Sequence, residues 1–195
     1  MSGALEIPHQ AKSHLPGEPG VWVFIFGDMI VFALFFVTFV YYRAQDAPLY
    51  VHAQSTLNQK YGVLNTVLML SSSWFVALAI QAARARLAGL SPRFFVGAFL
   101  CGVGFVVVKV FEYSEKIHAG LTLTTNDFYM YYYMFTGIHL MHVLIGMTVL
   151  AYLWNISRTA IFTAKNINNL ESGASFWHLV DILWIILFAL LYLMR

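Results

Sequence analysis

The sequence predicts an all-α fold: a multi-pass membrane bundle of five transmembrane helices. Three observations carry this. The 195 residues are 60% hydrophobic and only 10% charged, where a soluble domain carries about 25% charge. Mean hydropathy is +0.71. Five apolar stretches each approach or exceed the ~20 residues that a helix needs to cross a bilayer core. The stretches lack strict alternation, and an open sheet would leave unpaired edges in lipid, so helices are the remaining way to satisfy the backbone.

The first 20 residues, "MSGALEIPHQAKSHLPGEPG", contain Pro, Gly, His and Glu, with no apolar signal core and no Arg. They read as a polar lead-in over 1–20, ahead of a membrane domain over 21–195. The first span covers 21–42, "VWVFIFGDMIVFALFFVTFVYY", and carries Asp28. The second covers 62–83, "GVLNTVLMLSSSWFVALAIQAA", with Ser71, Ser72 and Ser73 in its middle. The third covers 93–113, with Gly97, Gly102 and Gly104 suited to close helix packing. It ends in Lys109 and Glu112. The fourth covers 128–154 and carries His139 and His142, after an aromatic cluster at Tyr129, Tyr131, Tyr132 and Tyr133 placed where a membrane interface should be. The fifth covers 175–194 and carries His178 and Asp181. The connections are short and polar, so no linker divides the chain.

Loop charge orients the bundle. With the N-terminus inside, the inner segments hold Lys12, Arg84, Arg86, Arg93, Arg158 and Lys165. The outer ones hold Arg43, Lys60, Lys116 and Arg195. The bias places the N-terminus in the cytoplasm and the C-terminus outside a bacterial inner membrane. The net charge of +2 is too small to indicate nucleic acid. A single cysteine, Cys101, excludes an internal disulfide framework and any Cys-based zinc or iron–sulfur site.

Ionisable residues inside membrane spans are functional candidates. Here they are Asp28, Lys109, Glu112, His139, His142, His178 and Asp181, as lipid-cleft or proton-responsive positions. Lys109 and Glu112 stand at i,i+3 and can pair on one helix face; Glu112 and Lys116 stand at i,i+4. His139 and His142 share a face by spacing, as do His178 and Asp181. A haem bridged by two histidines needs them at similar depth. From the span limits, His142 and His178 differ in depth by ~13 Å. Two His on one helix also lack the further ligands of a tight metal site. No haem or metal is expected in this chain. Interhelical hydrogen bonding is the expected role for these groups.

The order of motifs resembles a known family. "TGIHLMHVLIG" at 136–146 and "FWHLVDILW" at 176–184 are similar to the two C-terminal helices of subunit III of the haem–copper oxidases. Thr136, Gly137, His139, His142, Val143 and Gly146 match the first motif; Trp177, His178, Val180, Asp181 and Trp184 match the second. "FEY" at 111–113 resembles the family's glutamate–tyrosine pair, "LNTVLMLSSS" the start of another helix, and "FGDMIVFALFF" its acidic residue within a Phe-rich helix. The resemblance runs from about Gly20 to the C-terminus.

It implies a non-catalytic accessory subunit that supports assembly, lipid binding and proton uptake. Haem and metal would lie in a partner catalytic subunit. It also implies two bundles around a V-shaped, phospholipid-filled cleft. The long form has seven helices, and this chain lacks the first two, so the cleft should be shallower or open on one side. Lys109 stands where the family usually has Gln. The short form and the opening "GEPGVWVFIFGDM" look most like the branch that includes the small accessory protein of bacterial nitric-oxide reductase. From the residues alone, two rivals stand: a small proton-coupled transporter or channel, and a cytochrome b-like haem protein.

Overall fold

Long apolar runs bounded by capping residues make the helices. A computed structural model of the protein describes residues 19–87, 89–159 and 163–194; the lead-in over 1–18 and the charges Lys12 and Arg195 lie outside them. The elements are α1 (Pro19–Gln45), α2 (Ala47–Ser55), α3 (Gln59–Arg84), α4 (Ser91–His118), α5 (Asp127–Arg158) and α6 (Ala164–Phe188), the last running into a π turn, Ala189–Leu193. Among the described residues all regular structure is helical, and five helices are long and apolar enough to cross a membrane.

Start signals recur where the chain leaves a loop. The side chains of Asp46, Asn58, Asn126 and Thr163 each accept a hydrogen bond from a first-turn N–H of α2, α3, α5 and α6 respectively. These donors have no partner within the helix. Stop signals are equally local. After α4, Gly120 adopts φ +73°, while Leu121 N–H bonds back to Lys116 and Gly120 N–H to Ile117. That is the paired closure which uses a left-handed residue after the last turn. Arg86 performs the same turn after α3 at φ 56°.

Helices α3, α4, α5 and α6 form a ring of four, each packed on the next, and α1 lies outside it against α5 and α6. One face of the bundle, the N-terminal face, carries the starts of α1, α4 and α6 and the ends of α3 and α5. The C-terminal face is opposite. Close approach depends on glycine. A Cβ on Gly146 of α5 would meet the Trp177 ring of α6 at 2.7 Å, and one on Gly173 would meet Leu153 at 2.8 Å. Gly97 and Gly104 of α4 lie against Phe75 and Leu68 of α3, as close packing requires. α1 docks through a seven-residue repeat: Ile25, Phe32 and Phe39 are buried, and Phe35, Phe36 and Phe39 pack on Phe135 of α5. The rest of α1 presents apolar side chains outward.

Two expectations change here. The connection over 43–61 is not simply a polar loop, because it contains α2. Gln54 of α2 donates to the carbonyls of Leu190 and Leu191, Gln59 donates to Tyr192, and Arg43 donates to Met194. The carbonyls at a helix C-terminus have no partner within the helix. The connection supplies those partners, and Arg43 adds a cation at the negative end of the helix dipole. The fifth span begins at Ala164 rather than 175. Its first turns are polar, with Asn166, Asn168, Asn169 and Glu171, and a hydropathy reading stops where they begin. The helix continues through them under the Thr163 cap.

Candidate functional site

The ionisable residues in the spans fall into three clusters and one isolated side chain. The largest cluster lies toward the C-terminal face, between α4, α5 and α6. Lys109 and Glu112 stand one turn apart on α4, and the Lys109 Nζ–Glu112 Oε2 distance is 2.9 Å. Their side chains are 1% and 0% exposed. Glu112 Oε1 accepts from the Tyr132 hydroxyl at 2.8 Å and also from the Tyr192 hydroxyl. Lys109 Nζ donates to Tyr192 Oη at 3.1 Å and sits 4.8 Å from the centre of the Trp184 ring. The carboxylate therefore has three donors. The ammonium has a counter-charge, a phenol oxygen and an aromatic face, the partners that a buried ion pair requires.

Tyr113 and Thr136 close the cluster with a 2.6 Å hydrogen bond between α4 and α5. Lys116 does not join it. The Lys116 ammonium donates to the Thr56 carbonyl at 2.6 Å. The i,i+4 spacing allowed a pairing with Glu112, but Glu112 is already surrounded and the end of α2 offers Lys116 an open acceptor. Tyr129, Tyr131 and Tyr132, at the start of α5, turn into the bundle and are buried. The spacing 132, 135, 139, 142, 146 puts Tyr132 on the same α5 face as the buried histidines, which was the available signal for its role.

The second cluster joins α1 to α5. Asp28 Oδ1 lies 3.2 Å from His142 Nε2, and His142 Nδ1 donates to the Ile138 carbonyl at 2.9 Å. His142 and His139 share a helix but not a neighbourhood. His139 is fully buried between Phe105 of α4 and Trp184 of α6, and neither ring nitrogen has a hydrogen-bond partner among the described residues.

The third cluster joins α6 to α3. His178 Nδ1 and Ser73 Oγ are 2.6 Å apart, and Asp181 interacts with the same hydroxyl. Residues 178 and 181 thus share one partner, as their one-turn spacing suggested, and they anchor α6 on α3. Above them Trp184 Nε1 donates to Thr66 of α3 at 3.1 Å. His178 also borders a surface groove with Gln81, Arg84 and Glu171, where Arg84 and Glu171 pair at 2.8 Å.

The longer α6 revises the depth argument about the histidines. Trp177 packs on Gly146, so His178 lies about one turn, ~5 Å, from the level of His142, not ~13 Å. Direction separates them instead: His142 faces α1 and His178 faces α3. Among the described residues no three His, Cys, Asp or Glu side chains gather as a metal site.

The family model described as "Cytochrome c oxidase subunit III" matches residues 8–195. The chain is 29% identical to a cytochrome c oxidase subunit 3 of Synechocystis sp., covering 96% of this chain and 81% of that protein. It is 28% identical to the cytochrome c oxidase subunit 3 of a Bacillus species, covering 90% and 84%. A cytochrome bo(3) ubiquinol oxidase subunit 3 from Pseudomonas aeruginosa is 26% identical over 100% of this chain and 99% of its own length. With five helices long and apolar enough to span the membrane and a family match from near one end to the other, the chain belongs to the cytochrome c oxidase subunit III family.

Proposed function

We propose that this protein is the non-catalytic accessory subunit of a haem–copper oxidase complex in a bacterial inner membrane, with its N-terminus in the cytoplasm. The family match over residues 8–195 carries this reading. The packing supports it: the His-bearing motifs of α5 and α6 pack against one another and hold the bundle together, while every spanning helix keeps an apolar outer face for lipid or a partner. The chain supports assembly of the partner, binds phospholipid and aids proton delivery. Haem and metal belong to the partner.

The electron acceptor of the whole complex is O₂ in the reading that the relatives favour. The opening "GEPGVWVFIFGDM" favours NO as the second reading. The short form does not choose between them, since the Pseudomonas ubiquinol oxidase subunit is covered at 99% of its length.

The tagged protein, extracted in mild detergent with lipid retained, is expected to co-purify with a larger haem-bearing membrane subunit. Recovery as a homo-oligomer without one contradicts the reading. The isolated complex should then consume O₂ or NO, which separates the two acceptors. The single chain, purified away from its partner, should show no Soret band and no stoichiometric copper, iron or zinc. One haem per chain would return the cytochrome b-like rival.

A further inference from the structure

The seam between α3 and α6 is polar from the N-terminal face inward. Arg84 pairs with Glu171 at its top. Gln81 and Ser175 follow, then Ser73 with His178, then Trp184 with Thr66. Helical period sets this order. Residues 171, 175 and 178 share one face of α6, and 73, 77, 81 and 84 share one face of antiparallel α3. The upper half of the seam is not filled by packing. A groove of about 230 Å³ runs there, lined by Gln81, Arg84, Glu171, Ser175 and His178. The alanines at 77 and 174 also border it, and their side chains are too small to fill it. Exposure falls along the path: the Arg84 side chain is 58% exposed, that of Glu171 15%, and Asp181 5%.

The inner end is an open acceptor. Asp181 lies one turn beyond His178 and interacts with the same Ser73 hydroxyl. Its Oδ1 is buried and has no hydrogen-bond partner among the described residues. Farther in, the Trp184 indole is fully buried and gives its N–H to Thr66 at 3.1 Å, which closes the seam. A lipid chain in the groove would face charged and amide groups that it cannot pair. Ionisable residues at membrane depth turn to the bundle interior or to a water-filled cavity. Water fits, since each molecule needs a few polar partners and ~30 Å³. The cavity between α4 and α5 is the contrast. It is lined by Phe95, Val96, Phe99, Leu150, Ala151 and Trp154, with no hydroxyl, amide or charged side chain.

We propose that the groove between α3 and α6 is an aqueous inlet: water enters at the N-terminal face, passes the Arg84–Glu171 pair and binds Asp181 Oδ1 within the membrane. Asp181 then exchanges protons with that side alone, because Trp184 makes the inlet a dead end. The proposal deepens the part in proton delivery given to this chain above and rests on that reading for its purpose. The inlet itself rests only on α3 and α6 as membrane helices. A dry groove would leave co-purification with a haem-bearing partner untouched, and absence of the partner would leave the inlet measurable in the single chain.

The test uses the full chain in lipid vesicles. Cysteines are placed one at a time on a Cys101→Ala background and exposed to a charged, membrane-impermeant methanethiosulfonate. Ser175→Cys lies in the groove. Ala151→Cys lies at the same depth in the apolar cavity, since Gly173 packs on Val149 and Leu153. A charged reagent does not enter hydrocarbon, so Ser175→Cys is expected to react about tenfold faster or more, and only from the side that carries the start of α1. In the unsubstituted protein, water-edited solid-state NMR reads the inner end. Magnetisation from water is expected to reach Asp181 and His178 nearly as fast as Glu171, and well before the fully buried Phe105. Ser175→Leu, which fills the groove, should delay Asp181 and leave Glu171 unchanged. Equal labelling of the two cysteines, or an Asp181 that receives water magnetisation as late as Phe105, overturns the proposal.

Discussion

Glu112→Gln is expected to destabilise the protein by about 3–5 kcal/mol, the cost of removing one partner from a buried ion pair. Lys109→Met should cost a similar amount. In the first case the Lys109 ammonium stays in a fully buried site with a phenol and ring faces but no counter-charge. In the second, Glu112 keeps the Tyr132 and Tyr192 hydroxyls but carries an unbalanced charge. The double change removes both charges. Met fills the volume of Lys against the aromatic rings, where a thioether packs well, and the new amide oxygen at position 112 accepts from the phenols. The double variant should therefore recover much of the loss. Snorkelling cannot soften the effect, because neither side chain reaches the surface. Thermal unfolding of the four proteins in one detergent, with their retention in the isolated complex, measures the coupling. Losses that add would mean the two residues act independently, and Glu112 would then be a proton-responsive group on its own.

Gly146→Ala is expected to cost about 1–3 kcal/mol, the range for forcing an extra methyl into a filled core, and Gly137→Ala almost nothing. Both glycines lie on α5, so helix propensity favours alanine equally, by up to about 1 kcal/mol. The difference is what the methyl would meet. At Gly146 it meets the Trp177 ring at 2.7 Å, and that ring is fully buried with the backbone of Gly102 behind it. The indole has no room to retreat, so α5 and α6 must part. At Gly137 nothing lies within 4 Å. A Gly146→Ala protein as stable as its Gly137→Ala counterpart would show that the α5–α6 contact is softer than its geometry. Because Trp177 precedes His178, the Ser73 anchor of α6 is expected to loosen with it, and loss of the protein from the complex should follow the same order.

The sequence by itself determined the class of protein, the five spans and which side chains share one face of a helix. Apolar length implies a crossing helix because lipid offers no partner to an unpaired backbone group. The pair Lys109 with Glu112, and the shared face of His178 and Asp181, are legible because a turn of helix brings i and i+3 together whatever the helix packs against. The motif order from Gly20 onward was enough to reach the family. Only the tertiary structure decided what crosses between helices. Asp28 meets His142 because α1 docks on α5. His178 meets Ser73 because α6 docks on α3. Tyr192 reaches Glu112 from the far end of the chain.

In a soluble protein a polar stripe marks the outer face, and the opposite face is the core. Here the outer faces meet lipid as apolar as the interior, so hydropathy does not say which side of a helix is buried. That is why the sequence places Tyr132 at the outer end of its span but does not show that its side chain turns into the bundle. The same blindness, reversed, shortened the fifth span. The polar first turns of α6 read as a loop, and their partners lie on other helices and at the Thr163 cap, which no local pattern of hydrophobicity records.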